Sequence, residues 1–402
     1  MIRRRHALVA VACALAEMPT HGEPKPMAFQ AVAAPEPLAQ IAARGSMSLL
    51  GVSANGALFE WPLTGGSARR LGGDLDATTP LAVGHGRIAA RRGDGALWVL
   101  EGARTAVSVQ RTLAAAAGLL VLPLAVIAIA TDAKVHRVVR LEPSSSGSWS
   151  AVARSEIVVM PDARPLQVDL DGSGDAGHLV VLAGPDSERY PHGVLGDAIE
   201  ATRVVLLERH SLRVMRELVL DAPYVFEDIA PRKVVLGSRE GLLTVRSGPQ
   251  GAQLVLIDAD PSAPGSLRIK ARGPALGMPS RWLSPVTDGR HWLAVHTPHI
   301  GGVLHAYRQD GTRLVARRLQ GDVSNHRIGS RLLDMSAWRD QRLLIPDQSG
   351  KRLLLLDAAS DWRVVGEHQL PSRVTAMVGL GASGRVAVLL EDGSVTSGSI
   401  AG

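Results

Sequence analysis

The sequence LLDMSAWRDQRLLIPDQSGKRLLLLD, residues 332–357, contains three short apolar runs separated by turns. A polar turn follows the first run, and a glycine turn at Gly350 separates the second run from the third. Apolar runs of roughly four to eight residues that are bounded by such turns are typical of buried β-strands. This stretch therefore predicts three neighbouring strands of one sheet.

Variants of this unit recur along the chain of 402 residues. Further copies lie at 168–184, 225–245, 282–307 and 377–397, and poorer copies lie at 49–61 and 82–100. The predicted turn glycines Gly241, Gly302, Gly350 and Gly393 are 61, 48 and 43 residues apart, and Gly56 and Gly95 are 39 apart. Units that cannot bury both faces alone stack around an axis, which predicts one all-β propeller of four-stranded blades. A period of about 50 residues indicates about seven blades, with six or eight as alternatives.

The composition agrees with short strands and limits the functional classes. Glycine and proline are frequent, at 42 and 24 residues, whereas aromatic residues make up only 3% of the chain. The net charge of +6 comes from dispersed arginines without interleaved aromatics, so nucleic acid is not an expected partner. Cys13 is the only cysteine, which excludes a disulfide scaffold and a cysteine-ligated metal site.

The N-terminal residues 1–16, MIRRRHALVAVACALA, have the features of a signal peptide. Three arginines precede a short apolar run and an A-x-A cleavage pattern, which predicts a periplasmic or secreted protein. A second interpretation makes Cys13 the lipidated residue of a lipoprotein. Residues 17–45, rich in Ala and Pro, are expected to be a loose lead-in, and residues 46–402 are expected to form the propeller. The predicted strand that closes the last blade is Met47-Ser48-Leu49-Leu50.

The longest apolar run, LAAAAGLLVLPLAVIAIA at 113–130, has no charge over 18 residues. Its length alone is marginal for a membrane span. Because Pro123 divides it into halves of strand length, the sequence favours two buried strands, Leu119–Leu122 and Leu124–Ala130, and no transmembrane segment.

One copy of the unit resembles a known repeat. Residues 169–175 read DLDGSGD and are followed by the apolar Leu179-Val180-Val181, which resembles the FG-GAP/VCBS repeat of propellers such as integrin heads. The copy at 332–357 retains the spacing of this repeat, with Asp334, Ser336 and Asp340 in its loop. The segments PHGVLGD at 191–197, TPHIGGVLHAY at 297–307 and NHRIGS at 325–330 are similar to uncharacterised bacterial VCBS-repeat proteins. The resemblance implies a propeller fold and a family without an assigned activity.

The aspartate-rich loop is the candidate metal site. Calcium binds six to eight oxygen ligands, and alternating acidic residues in a glycine-containing turn can supply several of them. Asp169, Asp171, Ser173 and Asp175 are the predicted ligands. An acidic residue usually occupies the last ligand position of such loops, and here that position holds Gly177 or His178. A turn in which the carboxylates accept only the loop's own backbone amides is therefore an equal alternative.

The candidate ligand-binding residues are His192, His299, Asn325, His326 and Arg331. If their loops lie at the same end of neighbouring blades, the side chains meet near the axial channel and bind a metal or an anionic ligand. The alternative is that these histidines only bind loop backbone. Tyr190-Pro191-His192 lies in a long excursion between strands, where propellers often place recognition elements.

The sequence offers little support for catalysis. It has no G-x-S-x-G motif, no exported cysteine nucleophile and no sign of an organic cofactor. The leading hypothesis is a monomeric, non-catalytic binding or scaffold propeller for a protein or glycan. The alternative is a hydrolase or lyase with a pocket at the channel mouth, lined by the three histidines with Glu227 and Asp228.

Overall fold

A computed structural model describes residues 24–46, 48–62, 66–174, 177–333 and 335–400. The predicted signal peptide with Cys13 lies outside the described residues, as do Met47, Asp175 and Asp334. The chain is all-β, with 54% of its residues in strands and 2% in helices. Within the described residues, the strands form eight blades around an axis. The predicted single propeller is therefore confirmed, and its blade number is eight, the highest of the three predicted numbers.

The first four blades follow the chain order. Blade 1 contains β3 (Leu38–Arg44), β4 (Ser48–Ser53), β5 (Leu58–Pro62) and β6 (Arg69–Gly72). Blade 2 contains β7 (Ala82–Gly84), β8 (Arg87–Arg91), β9 (Leu97–Glu101) and β10 (Arg104–Val107). Blade 3 contains β11 (Leu120–Leu122), β12 (Ala125–Asp132), β13 (Val135–Pro143) and β14 (Trp149–Arg154). Blade 4 contains β15 (Leu166–Val168), β16 (His178–Asp186), β17 (Glu200–Glu208) and β18 (Val214–Val219).

The last four blades include two strands from the N-terminal segment. Blade 5 contains β20 (Arg232–Leu236), β21 (Arg239–Ser247), β22 (Gln253–Ala259) and β23 (Leu267–Arg272), and β19 (Val225–Phe226) links it to blade 4. Blade 6 contains β24 (Leu283–Thr287), β25 (Trp292–His296), β26 (Val303–Asp310) and β27 (Arg313–Gly321). Blade 7 contains β28 (Ala337–Arg339), β29 (Arg342–Pro346), β30 (Arg352–Asp357) and β31 (Arg363–Gln369), with β1 (Lys25–Pro26) on its outer edge. Blade 8 contains β32 (Val374–Gly379), β33 (Arg385–Leu390), β34 (Val395–Ser399) and β2 (Phe29–Val32). Three short 3-10 helices lie at Gly193–Leu195, Ala358–Ser360 and Gly381–Ser383.

The antiparallel order within each blade defines two faces of the propeller. Strands are called a to d from the axis outward, because the first strands of neighbouring blades contact one another around the axis. The turns between strands b and c, and the connections from one blade to the next, lie at one end, which we name the connection face. The turns between a and b and between c and d lie at the other end, which we name the far face.

The apolar run at 113–130 forms two strands as predicted. The antiparallel strands β11 and β12 take up half of it, and β12 is buried from Ala125 to Ala130 because neighbouring blades cover both faces of the sheet. Pro123 and Leu124 form the turn between them, and Leu124 is 71% exposed. No helix among the described residues is long and apolar enough to cross a bilayer.

Turn glycines connect neighbouring blades at the connection face. The carbonyl oxygens of Gly56, Gly95, Gly302, Gly350 and Gly393 accept backbone N–H groups of Leu75, Leu113, Val323, Val374 and Leu38, each in the connection to the following blade or in its first residue. Five of the six glycines from which the sequence period was read therefore lie in equivalent b–c turns. The sixth, Gly241, lies within β21. The equivalent glycine of blade 5 is Gly251, which has a φ of 80° and lies 51 residues before Gly302.

The predicted closing strand is wrong. Residues 48–53 form β4, which is buried along nearly its whole length and pairs with strands on both sides. The strand that closes the ring is β2, whose residues Phe29–Val32 pair antiparallel with Gly398–Val395 of β34. A closing strand occupies an edge, so the half-exposed residues of β2 fit this position better than the buried β4. The propeller thus takes strands from the segment expected to be a loose lead-in.

We predict that deletion through Val32 lowers the melting temperature by about 5 °C or more, compared with a chain that begins at residue 24. The deletion removes the outer strand of blade 8, together with the short β1 of blade 7, and leaves β34 with an unpaired edge, a change expected to cost several kcal/mol. Thermal unfolding followed by circular dichroism measures the difference. Equal melting temperatures for the two chains would show that β2 does not hold the ring closed.

Candidate functional site

The predicted histidine loops meet on the connection face above blades 4 to 6. His192 lies in the b–c excursion of blade 4, residues 187–199. His299 lies in the b–c turn of blade 6, and His326 lies in the connection from blade 6 to blade 7. The structure therefore brings the three histidines to the same end of the propeller, the geometry on which the ligand-binding hypothesis depends.

His192 is held by a buried carboxylate. Its Nδ1 is hydrogen-bonded to Oε1 of Glu227, and the hydroxyl of Ser247 donates to Oε2 of the same carboxylate. The indole N–H of Trp282 donates to the carbonyl oxygen of Glu227 at 3.0 Å. Burial raises the pKa of the Glu227 carboxyl, although the hydrogen bonds from His192 and Ser247 oppose this effect. Glu227 thus fixes the orientation of the His192 ring.

His299 and His326 form a second, neutral pair. Nε2 of His326 lies 2.8 Å from the carbonyl oxygen of Ser330, which can only accept, so this nitrogen carries the proton. The Nδ1 of neutral His326 then accepts from Nε2 of His299 at 2.9 Å. Burial lowers the pKa of His326 to about 3 and that of His299 to about 4, and Trp282 stacks on the His299 ring at 5.9 Å. Both nitrogens of His326 are therefore used in internal hydrogen bonds.

Asn325 and Arg331 are bound within the protein. Asn325 is almost fully buried, and its amide donates to the Ser284 hydroxyl at 2.8 Å. Arg331 donates from Nε to Asp162 at 3.0 Å and from Nη2 to Asp197 at 2.6 Å. These ion pairs connect the segment after blade 6 to the loops around blade 4.

Tyr190 is packed against the body of the propeller. It is buried, and its hydroxyl accepts the backbone N–H of Ser280 at 2.6 Å, while its ring meets the His192 ring edge-on. At the end of the same excursion, Val194 accepts the backbone N–H of Gly329 at 2.9 Å. The excursion predicted as a recognition element is thus a fixed part of the connection face.

A cluster of buried and partly buried carboxyl groups underlies this face, and sequence reasoning missed three of its members. Asp228, which was predicted, accepts from Arg232 at 2.6 Å and from Thr244 at 2.9 Å. Asp162, Asp197 and Glu200 were not predicted, because they share no motif: Asp162 lies in the connection before blade 4, Asp197 in the b–c excursion, and Glu200 at the start of β17. Burial, together with the nearby carboxylates of Glu227 and Asp197, raises the pKa of Glu200 to about 11. Over the part of the chain that the structure describes, no three or more His, Cys, Asp or Glu side chains are placed to hold a metal ion.

The aspartate-rich loop lies on the far face, away from the histidines, between strands a and b of blade 4. Oδ1 of Asp169 accepts the backbone N–H groups of Gly172 and Ser173 at 2.9 and 3.2 Å, and its Oδ2 accepts that of Gly174 at 2.8 Å. Oδ1 of Asp171 accepts the Ser173 N–H at 3.1 Å. This is the geometry of the backbone-satisfied turn, the second of the two interpretations. Calcium binding stays a prediction.

We predict that Asp169→Ala lowers the free energy of unfolding by about 1–3 kcal/mol, because it removes three loop hydrogen bonds and leaves the amides of Gly172 and Gly174 without their acceptor. The loss is expected to be the same with calcium and with chelator, and Asp310→Ala, at the exposed end of β26 on the same face, serves as the control. Denaturant unfolding measures both variants. A calcium-dependent stabilisation of the wild type that disappears in Asp169→Ala would instead establish a metal site.

We predict a pH-dependent gain in stability for Glu200→Gln. A carboxyl whose folded pKa is raised from 4.5 to about 11 stabilises the fold below its unfolded pKa, and this contribution is lost as the pH rises. Glutamine stays neutral, so the variant is expected to match the wild type near pH 4 and to exceed its stability by more than about 1 kcal/mol near pH 8. Unfolding curves across this pH range measure the difference. Glu217→Gln, at a half-exposed ion pair, is the control, and a constant difference across the range would contradict the expected burial of Glu200.

Comparison with known proteins supports the fold. BamB from Moraxella catarrhalis is 14% identical over 93% of this chain and 98% of its own, with a TM-score of 0.56. Sqt1 from Saccharomyces cerevisiae is 10% identical over 94% of this chain and 100% of its own, with a TM-score of 0.57. The Dos1 propeller is 10% identical over 93% of this chain and 95% of its own, with a TM-score of 0.59. These similarities define the class of the protein, a β-propeller. No family model matches the sequence, and no curated protein sequence matches it.

Proposed function

We propose that this chain is an exported, non-catalytic propeller that binds a protein partner through its connection face. Exposed large apolar side chains on the loops that flank blade 6 carry the proposal. Ile300 and Ile328 are 64% and 67% exposed, and Met278, in the connection before blade 6, is 57% exposed. Apolar side chains grouped on one end of a rigid fold are typical of a protein-binding surface.

The loops that present these side chains are held rigidly. Ile300 follows His299 by one residue and Ile328 follows His326 by two, and both histidines are fixed by the Trp282 contacts and their mutual hydrogen bond. Binding by preorganised loops loses less conformational entropy than binding by flexible ones. The buried histidines therefore support a binding surface without contacting the partner themselves.

Export and family membership are parts of the proposal that rest on sequence. The leader at residues 1–16 supports export. The FG-GAP/VCBS resemblance is supported by two copies, at 168–184 and 332–357. In both, the apolar segment after the aspartate positions forms strand b of a blade, β16 and β29.

The enzyme alternative is favoured by one observation, the hydrogen bond between His192 and buried Glu227, which resembles the base-orienting pair of many hydrolases. However, the nearby Ser247 is fully buried and donates to Glu227, so it does not face His192 as a nucleophile would. The polar groups of His326 and Asp228 are also used in internal contacts. Binding is therefore the better-supported function.

We predict that photo-crosslinking identifies the connection face as the binding surface. Benzoylphenylalanine at position 300 or 328 is expected to give a discrete cross-linked species after irradiation of cells that produce the protein natively, because both side chains face outward. The same residue at position 124, which is equally exposed but on the far face, is the control. Gel mobility and mass spectrometry measure the products. Equal products from all three positions, or none from 300 and 328, would contradict the proposal.

A further inference from the structure

A cleft of about 180 Å³ opens on the connection face above blades 6 to 8. The exposed rim of the cleft includes Arg327 and Ile328, in the connection after blade 6, and Arg373, in the connection into blade 8. Its floor includes the buried residues Pro298, His326, Met335 and Val374. Because typical small-molecule sites have roughly 300–1,000 Å³, this cleft has room only for individual side chains of a partner.

The polar groups of the floor are occupied by contacts within the protein. Both ring nitrogens of His326 are hydrogen-bonded. The side chain of Gln348 joins the turns of blades 6 and 7, since its amide donates to the carbonyl oxygen of Pro298 at 2.8 Å and accepts the backbone N–H of Gly302 at 2.5 Å. The floor therefore has a fixed shape, and the side chains of the rim determine what binds.

The two arginines of the rim are available to an incoming anion. Arg373 is exposed, and its guanidinium makes no hydrogen bond or ion pair with another described residue. Nη1 of Arg327 lies 3.7 Å from Oε1 of Glu391, which is farther than a hydrogen bond, and both side chains are about half exposed. An exposed ion pair of this kind contributes little to stability, so Arg327 can exchange Glu391 for another carboxylate.

Other charged side chains around the cleft leave it positive. Lys351, which follows the lining residue Gly350, is exposed. Asp347, in the same turn, is buried, and its Oδ1 accepts the backbone N–H groups of Lys351 and Arg352 at 3.2 and 3.1 Å. Asp392, in the turn of blade 8, accepts the backbone N–H of the nearby Ser394 at 3.0 Å. These two carboxylates are thus bound to their own turns, whereas the cations face solvent. We name the cleft with this rim the basic cleft.

The chemistry of the basic cleft favours an acidic peptide segment. Its rim includes Ile328, which is 67% exposed and is one of the apolar side chains of the proposed protein-binding surface. A peptide that places a carboxylate beside an apolar side chain matches both parts of the rim. Single-stranded nucleic acid is a poorer match, because it stacks on aromatic side chains and no Phe, Tyr or Trp is among the described lining residues.

We propose that the basic cleft binds an extended acidic segment of the protein partner. A carboxylate of that segment accepts charge-assisted hydrogen bonds from Arg327 and Arg373, and a neighbouring apolar side chain packs on Ile328. This inference rests on the proposed function and adds the chemical character of the partner. Charged groups at the rim of an interface act on specificity and on the rate of association, so binding is expected to weaken as salt is added.

The first test introduces Arg327→Gln and Arg373→Gln together into the chain that carries benzoylphenylalanine at position 300. The yield of the cross-linked species is expected to fall at least about tenfold, because the charge-assisted hydrogen bonds are lost. Arg308→Gln with Arg313→Gln, at two exposed positions on the outer strands of blade 6, is the matched control and is expected to leave the yield unchanged.

The outcomes of this test separate the two proposals. If the chain without the arginine substitutions gives no cross-linked species, the proposed function itself is contradicted. If the species forms and keeps its full yield in Arg327→Gln with Arg373→Gln, the acidic-segment inference is overturned and the proposed function stands.

The second test uses the purified protein and two fluorescein-labelled peptides of about ten residues, one repeating Leu-Glu-Asp and one repeating Leu-Gln-Asn. Fluorescence anisotropy is expected to show that the wild type binds the acidic peptide at least about tenfold more tightly, and that this preference is lost in Arg327→Gln with Arg373→Gln. The preference is also expected to decrease at about 500 mM sodium chloride.

Three results of the second test would overturn the inference. These are no saturable binding of the acidic peptide, equal affinities of the wild type for the two peptides, and an unchanged preference in the double variant. Co-sedimentation of the wild type with phosphatidylglycerol vesicles, lost in the double variant and without any preference between the peptides, would assign the arginines to a membrane surface instead.

Discussion

The contact that the rest of the fold depends on is a backbone hydrogen bond in which the b–c turn glycine of one blade accepts an N–H group from the segment leading into the next. Among the described residues, it joins five pairs of neighbouring blades. Side-chain packing between blades is made of interchangeable aliphatic residues, whereas this bond fixes how far one blade is rotated against the next. Gly56, Gly95, Gly350 and Gly393 have a positive φ, and at Gly302 and Gly56 the space also excludes a Cβ. A Cβ on Gly302 would lie 1.9 Å from the carbonyl oxygen of Val323, and one on Gly56 would lie 2.4 Å from that of Leu75. The turn and the next blade are therefore in direct backbone contact.

Much of the fold could be predicted from sequence because local patterns of apolar residues and glycines determine its strands and turns. The glycines at 302, 350 and 393 mark equivalent turns, and the apolar run at 113–130 divides at Pro123 as expected. Gly241 misled the assignment of blade 5 because a glycine inside a buried strand gives the same local signal as one in a turn. The closing strand β2 was missed because an outer strand buries little, so Phe29–Val32 lacks the apolar run by which inner strands are recognised.

The candidate site was predictable only in part. The histidines were found because His192 and His299 precede turns and His326 lies in a polar run. Whether their loops lie at the same end was left open by the sequence and was settled by the strand order within the blades. Their partners were not found, because those contacts join distant parts of the chain. Arg331 lies 169 residues from Asp162 and 134 from Asp197 in sequence, and no pattern of spacing marks such pairs.

The pairing of β2 with β34 gives the molecule an unusual order of assembly. Phe29 and Gly398 are partners although almost the whole polypeptide lies between them. During synthesis, the first blades can stack as soon as they emerge from the ribosome, but the ring stays open until the last strand is made. Contacts of such long sequence separation form late in folding and slow it. Until then, β2 has no strand to pair with, and the nascent chain carries two unpaired edges, one at β2 and one at the last blade that has formed. A strand of a second molecule can pair with either edge instead.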